Sequence, residues 1–219
     1  MVRQRVIETM EGIQDGFDVA SYDRMMRKMW KRGWVETKEV IQSEITQGTA
    51  LEISPGPGYL GIDWLQKTDG TSLVGLDISK EMLKRSRENA SLEGVGDRAN
   101  YVLGDACNMP FEDAQFDAVF ANGGMHEWST PLAVFNEIAR VLKPGGLYCI
   151  TDLRRDASVF IRKLLPLTIR ERPMRQGFTS SLNAAYTLGE ASVLAANSAL
   201  SAPQISSSFM GLIISGVKP

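Results

Sequence analysis

The sequence predicts an α/β protein whose core is a doubly wound, mostly parallel sheet of seven strands, and three observations lead there. From Ala50 onward, short apolar runs that suit buried strands alternate with amphipathic stretches of helical period. A bare loop, Ser54-Pro-Gly-Pro-Gly58, follows the first of those runs. The last two runs, 204–208 and 212–217, lie close enough to close the sheet as an antiparallel hairpin across Met210-Gly211.

Each element has its own signal. Met25, Met26, Met29 and Trp30 recur at helical spacing between basic residues, so 19–45 reads as a helical cover. Such a cover either packs on the domain or lids a substrate pocket, because Met and aromatic side chains adapt to planar or greasy ligands. Leu51 and Ile53 end a strand, and Gly56 and Gly58 leave its exit loop without side chains. A helix from Tyr59 then points its free N–H groups back at that loop.

The next strand, 72–77, ends on Asp77, about twenty residues beyond the loop, where a carboxylate can accept both hydroxyls of a ribose. Ser79 caps a helix to Ala90 that buries Met82 and Leu83, its charges forming a solvated face. The third strand, 100–103, leads to a second strand-end acid, Asp105. The fourth, 115–121, is almost continuously apolar, as in a sheet covered on both faces. It runs into Asn122-Gly-Gly-Met-His126-Glu127-Trp128, which holds the only histidine of the chain.

Pro131 to Leu142 is an amphipathic helix, and Lys143-Pro-Gly-Gly146 turns it into the strand 147–151. Thr187-Leu-Gly-Glu190 has the form of a capping box opening a helix to about Leu200. Between them, Asp152 to Arg175 carries seven Arg or Lys against three acids, interleaved with aliphatics. That composition suits a solvated cationic helix face, an anionic substrate or peripheral contact with a membrane surface through 154–175.

Composition narrows the function. The chain has 219 residues, 43% of them hydrophobic, which suits one domain, 1–219. A formal charge of -2 lacks the broad basic footprint of a nucleic-acid binder. Cys107 and Cys149 form no metal-ligand spacing, so no metal is expected. No apolar run reaches the roughly 20 residues that span a bilayer, and the expected location is the cytoplasm.

Taken together, these residues resemble the class I S-adenosylmethionine-dependent methyltransferases. In that family the first strand and loop typically read Glu/Asp-x-Gly-x-Gly-x-Gly. Glu52-Ile-Ser54-Pro-Gly56-Pro-Gly58 is similar, with Ser54 in place of the first glycine. Phe17-Asp-Val-Ala-Ser-Tyr22-Asp23, Asn108-Met-Pro-Phe111 and Ala139-Arg-Val-Leu-Lys-Pro-Gly-Gly146 resemble the ubiquinone/menaquinone-biosynthesis C-methyltransferases. The loop 124–128 departs from those enzymes and is closer to a Leu-His-His-Trp pattern of other relatives.

The resemblance implies a Rossmann-like fold and S-adenosylmethionine as cofactor, leaving S-adenosylhomocysteine. It divides the chain into an N-terminal cover (1–47), a cofactor-binding core (48–152) and a substrate-side insert with closing hairpin (153–219). By it, Glu52, Ser54, Gly56, Pro57, Gly58 and Asn122 line the cofactor, Asp77 holds the ribose, Ile78 flanks the adenine, and Asp105 with Ala106 meets the adenine amino edge.

The implied reaction is methyl transfer to a small-molecule acceptor by in-line displacement. His126 is the first candidate base, because an unperturbed imidazole titrates near physiological pH; Glu127, Tyr22 and Asp152 follow. Two rivals stand beside this. Gly56-x-Gly58-x-x-Gly61 with Asp77 also fits a dinucleotide fingerprint, although no Tyr-x-x-x-Lys pair accompanies it. A protein that binds the cofactor without transferring a methyl group is the other.

Overall fold

The computed structural model describes residues 4–6, 16–169, 172–208 and 211–219. Its strands are β1 (Thr49–Ile53), β2 (Ser72–Asp77), β3 (Ala99–Leu103), β4 (Phe116–Asn122), β5 (Leu142–Leu153), β6 (Gln204–Ser207) and β7 (Gly211–Val217). They form one sheet in the order β3-β2-β1-β4-β5-β7-β6. The first five pair in parallel, and β7 runs antiparallel between β5 and β6. The Rossmann-like architecture expected from the sequence is therefore present. Met210, at the expected hairpin turn, lies outside the described residues.

The helices are α1 (Gly16–Lys31), α2 (Thr37–Gln42), α3 (Tyr59–Lys67), α4 (Lys80–Leu92), α5 (Pro131–Val141), α6 (Val159–Thr168), α7 (Arg172–Ala184) and α8 (Leu188–Ala196). Two apolar clusters share the sheet between them. Leu51, Ile53, Val119 and Ile150 pack with Phe135, Ile138 and Ala191, while Ala50, Leu73 and Phe120 pack with Ile62, Trp64 and Leu83 on the opposite side. A strand buried on both faces needs this near-continuous apolar sequence.

Local chemistry sets the boundaries. Ser79 Oγ accepts from the Met82 amide at 3.2 Å to start α4, and the Thr187/Glu190 capping box starts α8 as expected. Three boundaries differ from the sequence reading. The cover is not one helix over 19–45: the chain turns after Lys31, with Gly33 in the left-handed region at φ 67°, before α2 begins. The α8 helix ends at Ala196, where Asn197 turns its side chain back onto the Val193 carbonyl. The Lys143-Pro-Gly-Gly146 turn is an irregular beginning of β5, whose register against β4 shifts between Phe116 and Ala118.

Strand order reverses between β1 and β4, because the chain builds β2 and β3 on one side of β1 before crossing to the other. At that point the loops leaving the two strands part and open a crevice at their carboxyl ends. The candidate site lies there.

Candidate functional site

The glycine loop is fixed from several sides. The Gly56 amide donates to Asp77 Oδ2 at 3.1 Å, and the Gly56 carbonyl accepts from Ser86 Oγ of α4 at 2.5 Å. The Pro57 carbonyl accepts from Asn89 Nδ2 at 2.9 Å. Gly56 and Gly58 adopt φ of 54° and 86°, which a side chain would strain. A Cβ on Gly56 would meet only the Tyr22 ring, at 3.5 Å, so this glycine keeps the crevice open.

The other two glycines serve packing. A Cβ on Gly58 would lie 3.0 Å from the Tyr101 hydroxyl, and one on Gly61 would collide with Glu52 Oε2 and Leu73. Ser54 holds φ 55° where the family has glycine, and the adjoining Gly124 leaves it room. Trp128 Nε1 donates to Ser54 Oγ at 3.4 Å, a long contact that joins the loops after β1 and β4.

The crevice has a volume of about 320 Å³, within the range of roughly 300–1,000 Å³ common for small-molecule sites. Its wall includes Glu52, Ser54, Gly56, Pro57, Asp77, Ile78, Asp105, Ala106 and Asn122, together with Tyr22 and Glu127 from the catalytic candidates. Gly58 is not part of that wall. Neither is His126, which is 4% exposed. Its Nδ1 lies 2.8 Å from Asp152 Oδ1, its own amide donates to Asp152 Oδ2 at 2.7 Å, and its Nε2 lies 3.8 Å from Glu127 Oε1. Arg5 donates to the His126 carbonyl at 3.0 Å, which ties the N-terminal residues to this loop.

Burial controls the acids. It pushes the Glu52 carboxyl up to about 8, with the Gly61 N–H opposing and Asp77 adding to the rise. Asp77 is also raised by burial, against the amides of Ser79, Gly56 and Ile78 that favour its charge. Burial first, then Glu127, Asp77 and Asp152, keep the Tyr22 phenol protonated.

These residues fit S-adenosylmethionine. Asp77 offers carboxylate lone pairs beyond its amide partners, Ile78 is an aliphatic side chain left 46% exposed beside the crevice, and Gly56 presents bare backbone. Among the described residues, no group of three or more His, Cys, Asp or Glu could hold a metal ion, and no helix is long and apolar enough to cross a membrane.

The fold and the matches to known proteins relate the chain to the class I S-adenosylmethionine-dependent methyltransferases. Residues 51–150 match the methyltransferase domain family, and the curated proteins that the chain resembles include ubiquinone/menaquinone-biosynthesis C-methyltransferases. The chain is 28% identical over 193 residues to a demethylmenaquinone methyltransferase of Deinococcus radiodurans, covering 88% of this chain and 78% of that one. It spans about half the length of several other curated relatives that it matches.

Among solved structures, an S-adenosylmethionine-dependent methyltransferase of Aquifex aeolicus superposes with a TM-score of 0.69 at 16% identity, covering 94% of this chain and 100% of that one. The [4+2]-cyclase SpnF shares the fold with a TM-score of 0.51 at 22% identity, over 70% of this chain and 52% of its own.

Sequence reasoning missed the network that anchors the cover. Tyr59 Oη donates to Asp23 at 2.8 Å, Asn89 donates to Asp23 at 2.9 Å, and Arg27 donates to both Tyr59 and Asn89. Trp30 stacks on Tyr59 with centroids 5.3 Å apart. The signal available was the spacing of Met82, Ser86 and Asn89, which places all three on one face of α4.

Proposed function

We propose that this chain transfers a methyl group from S-adenosylmethionine to a small-molecule acceptor by in-line displacement. The observation that carries the reading is the crevice at the β1/β4 switch point, with bare Gly56 on one wall and Asp77 and Ile78 on another. When bound, the cofactor supplies a methyl group already activated by the sulfonium charge.

The residues of the chain do the rest. Asp77 accepts the ribose hydroxyls, and Ile78 and Ala106 flank the adenine, beside Asp105. Tyr22 and Glu127 border the crevice where α1 and the β4 loop meet, and align the acceptor. Alignment of reactants accounts for much of the barrier lowering in such a displacement. Where the acceptor must lose a proton, His126 is the candidate base, acting from behind the wall through Glu127: Asp152 orients its ring through Nδ1 and leaves Nε2 toward Glu127, which borders the crevice.

The test is single-turnover transfer from methyl-labelled cofactor to small molecules of the source cell, run with Asp77→Ala as control. Label in an acceptor, lost with the substitution, supports the reading. Cofactor binding without label transfer supports the second reading, a cofactor-binding protein with no transferase activity, which the shared fold of a cyclase favours. A nicotinamide-dependent reductase is the weaker rival, because the crevice wall presents acids to a pyrophosphate.

A further inference from the structure

We infer that α6 and the start of α7 form a docking face for an anionic lipid bilayer, carried at the end of the sheet where the crevice opens. Docking of this kind is independent of methyl transfer. From Ala157 to Gly189 the single acid is Glu171, against Arg162, Lys163, Arg170, Arg172 and Arg175. This local excess of positive charge stands in a chain whose formal charge is -2, so the remainder is acidic and the chain is polarised.

The basic stretch from Asp152 to Arg175 divides in the fold. Its first two cations are engaged nearby: Arg154 Nε lies 3.1 Å from Asp156, and Arg155 lies 2.6 Å from Glu190. Those on the two helices are left to solvent. Lys163 and Arg172 are exposed, Arg162 and Arg175 are half-buried, and none of the four pairs with an acid among the described residues.

Apolar side chains share the outer face. Ile161 and Pro166 are buried, whereas Phe160 and Leu167 are 69% and 66% exposed. The spacing of 160, 163 and 167 brings Phe160, Lys163 and Leu167 to one side of α6. A helix on a water-facing surface ordinarily turns its large apolar side chains inward. At a bilayer interface the same side chains enter the acyl boundary, and Lys163 reaches the headgroup phosphates on its flexible stem. A nucleic-acid strand would attract the cations but has no place for Leu167. A lipid surface matches both halves of the face.

The chain enters this insert from the carboxyl end of β5, beside β4. Arg5 donates to the carbonyls of Ala184, where α7 ends, and of His126 in the β4 loop, so the insert returns next to the crevice. Among the described residues no helix is long and apolar enough to cross a membrane, and the contact is therefore peripheral.

Cosedimentation of the full chain with vesicles tests this. Phosphatidylcholine vesicles containing phosphatidylglycerol are compared with phosphatidylcholine alone, at low and at high salt. The anionic vesicles are expected to bind roughly tenfold tighter or more, and salt to remove most of the difference. Lys163→Glu should weaken that binding about fivefold or more, and Phe160→Ser combined with Leu167→Ser about tenfold. Leu92→Ser, at an exposed leucine on α4, should leave it unchanged. Circular dichroism like that of the parent is the folding control for each variant. Phe160→Trp reports insertion directly, because brominated acyl chains should quench the added emission.

Equal affinity for the two vesicles, or binding indifferent to Lys163→Glu or to the paired serine variant, overturns the lipid assignment. So does an added tryptophan that brominated chains leave unquenched. Retention on single-stranded RNA without vesicle binding overturns it as well and makes the face a polyanion site.

Discussion

The Asn89 side chain donates to the Pro57 carbonyl at 2.9 Å, and so a residue buried in α4 holds the backbone of the glycine loop without facing the crevice. The same amide group bonds Asp23 of the cover, and its carbonyl accepts from Arg27. Removing it takes this partner from the Pro57 carbonyl and one hydrogen bond each from Asp23 and Arg27, which both keep Tyr59. Asn89→Ala is expected to destabilise the fold by about 1–3 kcal/mol and to weaken cofactor binding, read by chemical denaturation and calorimetry on the same sample. Unchanged affinity would show that the loop keeps its shape without α4.

Asp77 combines a structural tie with the proposed ribose contact. Asp77→Asn retains an acceptor oxygen but loses the charge, and hydrogen bonds to charged groups contribute about 1.5–3 kcal/mol. Cofactor affinity should fall about tenfold to a hundredfold, with a far-ultraviolet circular dichroism spectrum like that of the parent.

The two glycines at either end of the dinucleotide-like pattern should separate binding from folding. Gly61→Ala drives a methyl group into Glu52 and Leu73, so it is expected to cost about 1–3 kcal/mol of stability. Gly56→Ala instead places its methyl group toward Tyr22 in the crevice, and its larger effect should be on cofactor affinity. Thermal melting with and without cofactor distinguishes the two.

Glu52 gives stability a pH dependence of predictable sign. Its carboxyl holds a proton in the folded chain up to about 8, above its ordinary 4.5. The folded state therefore binds more protons than the unfolded state between those values, and stability falls as pH rises through the window. Glu52→Gln buries no charge. Its melting temperature should gain on the parent from about pH 4.5 to about pH 8, and a constant difference would contradict the assignment.

The His126–Asp152 pair makes a kinetic prediction. If His126 accepts the acceptor's proton, His126→Ala and Asp152→Asn should each lower kcat by about a hundredfold or more and flatten the acidic limb of its pH profile, with cofactor affinity preserved. Unchanged turnover and pH profile on the true acceptor would leave the pair a structural brace for the β4 loop.

Much of this organisation was legible in the chain itself. The order of β1 to β5 follows from alternating periods, and the crevice from Gly56, Asp77 and Asp105, each at a strand end. The break in the cover at Gly33 was not legible, because apolar residues at helical spacing run past it. The burial of Ser86 and Asn89 was not legible either: they sit among charges that suggest solvent, yet both are fully buried. A polar residue declares its partner only after distant segments meet. For the same reason the pairing of His126 with Asp152, from the ends of neighbouring strands, required the assembled sheet.

The placement of β7 between β5 and β6 has a consequence for synthesis and assembly. The sheet's interior is completed by its latest strand, so until Gly211–Val217 has left the ribosome both β5 and β6 present open hydrogen-bonding edges. A chain cut short before β7 would therefore lose its closure and gain two adhesive edges, with aggregation rather than a slightly smaller enzyme as the outcome.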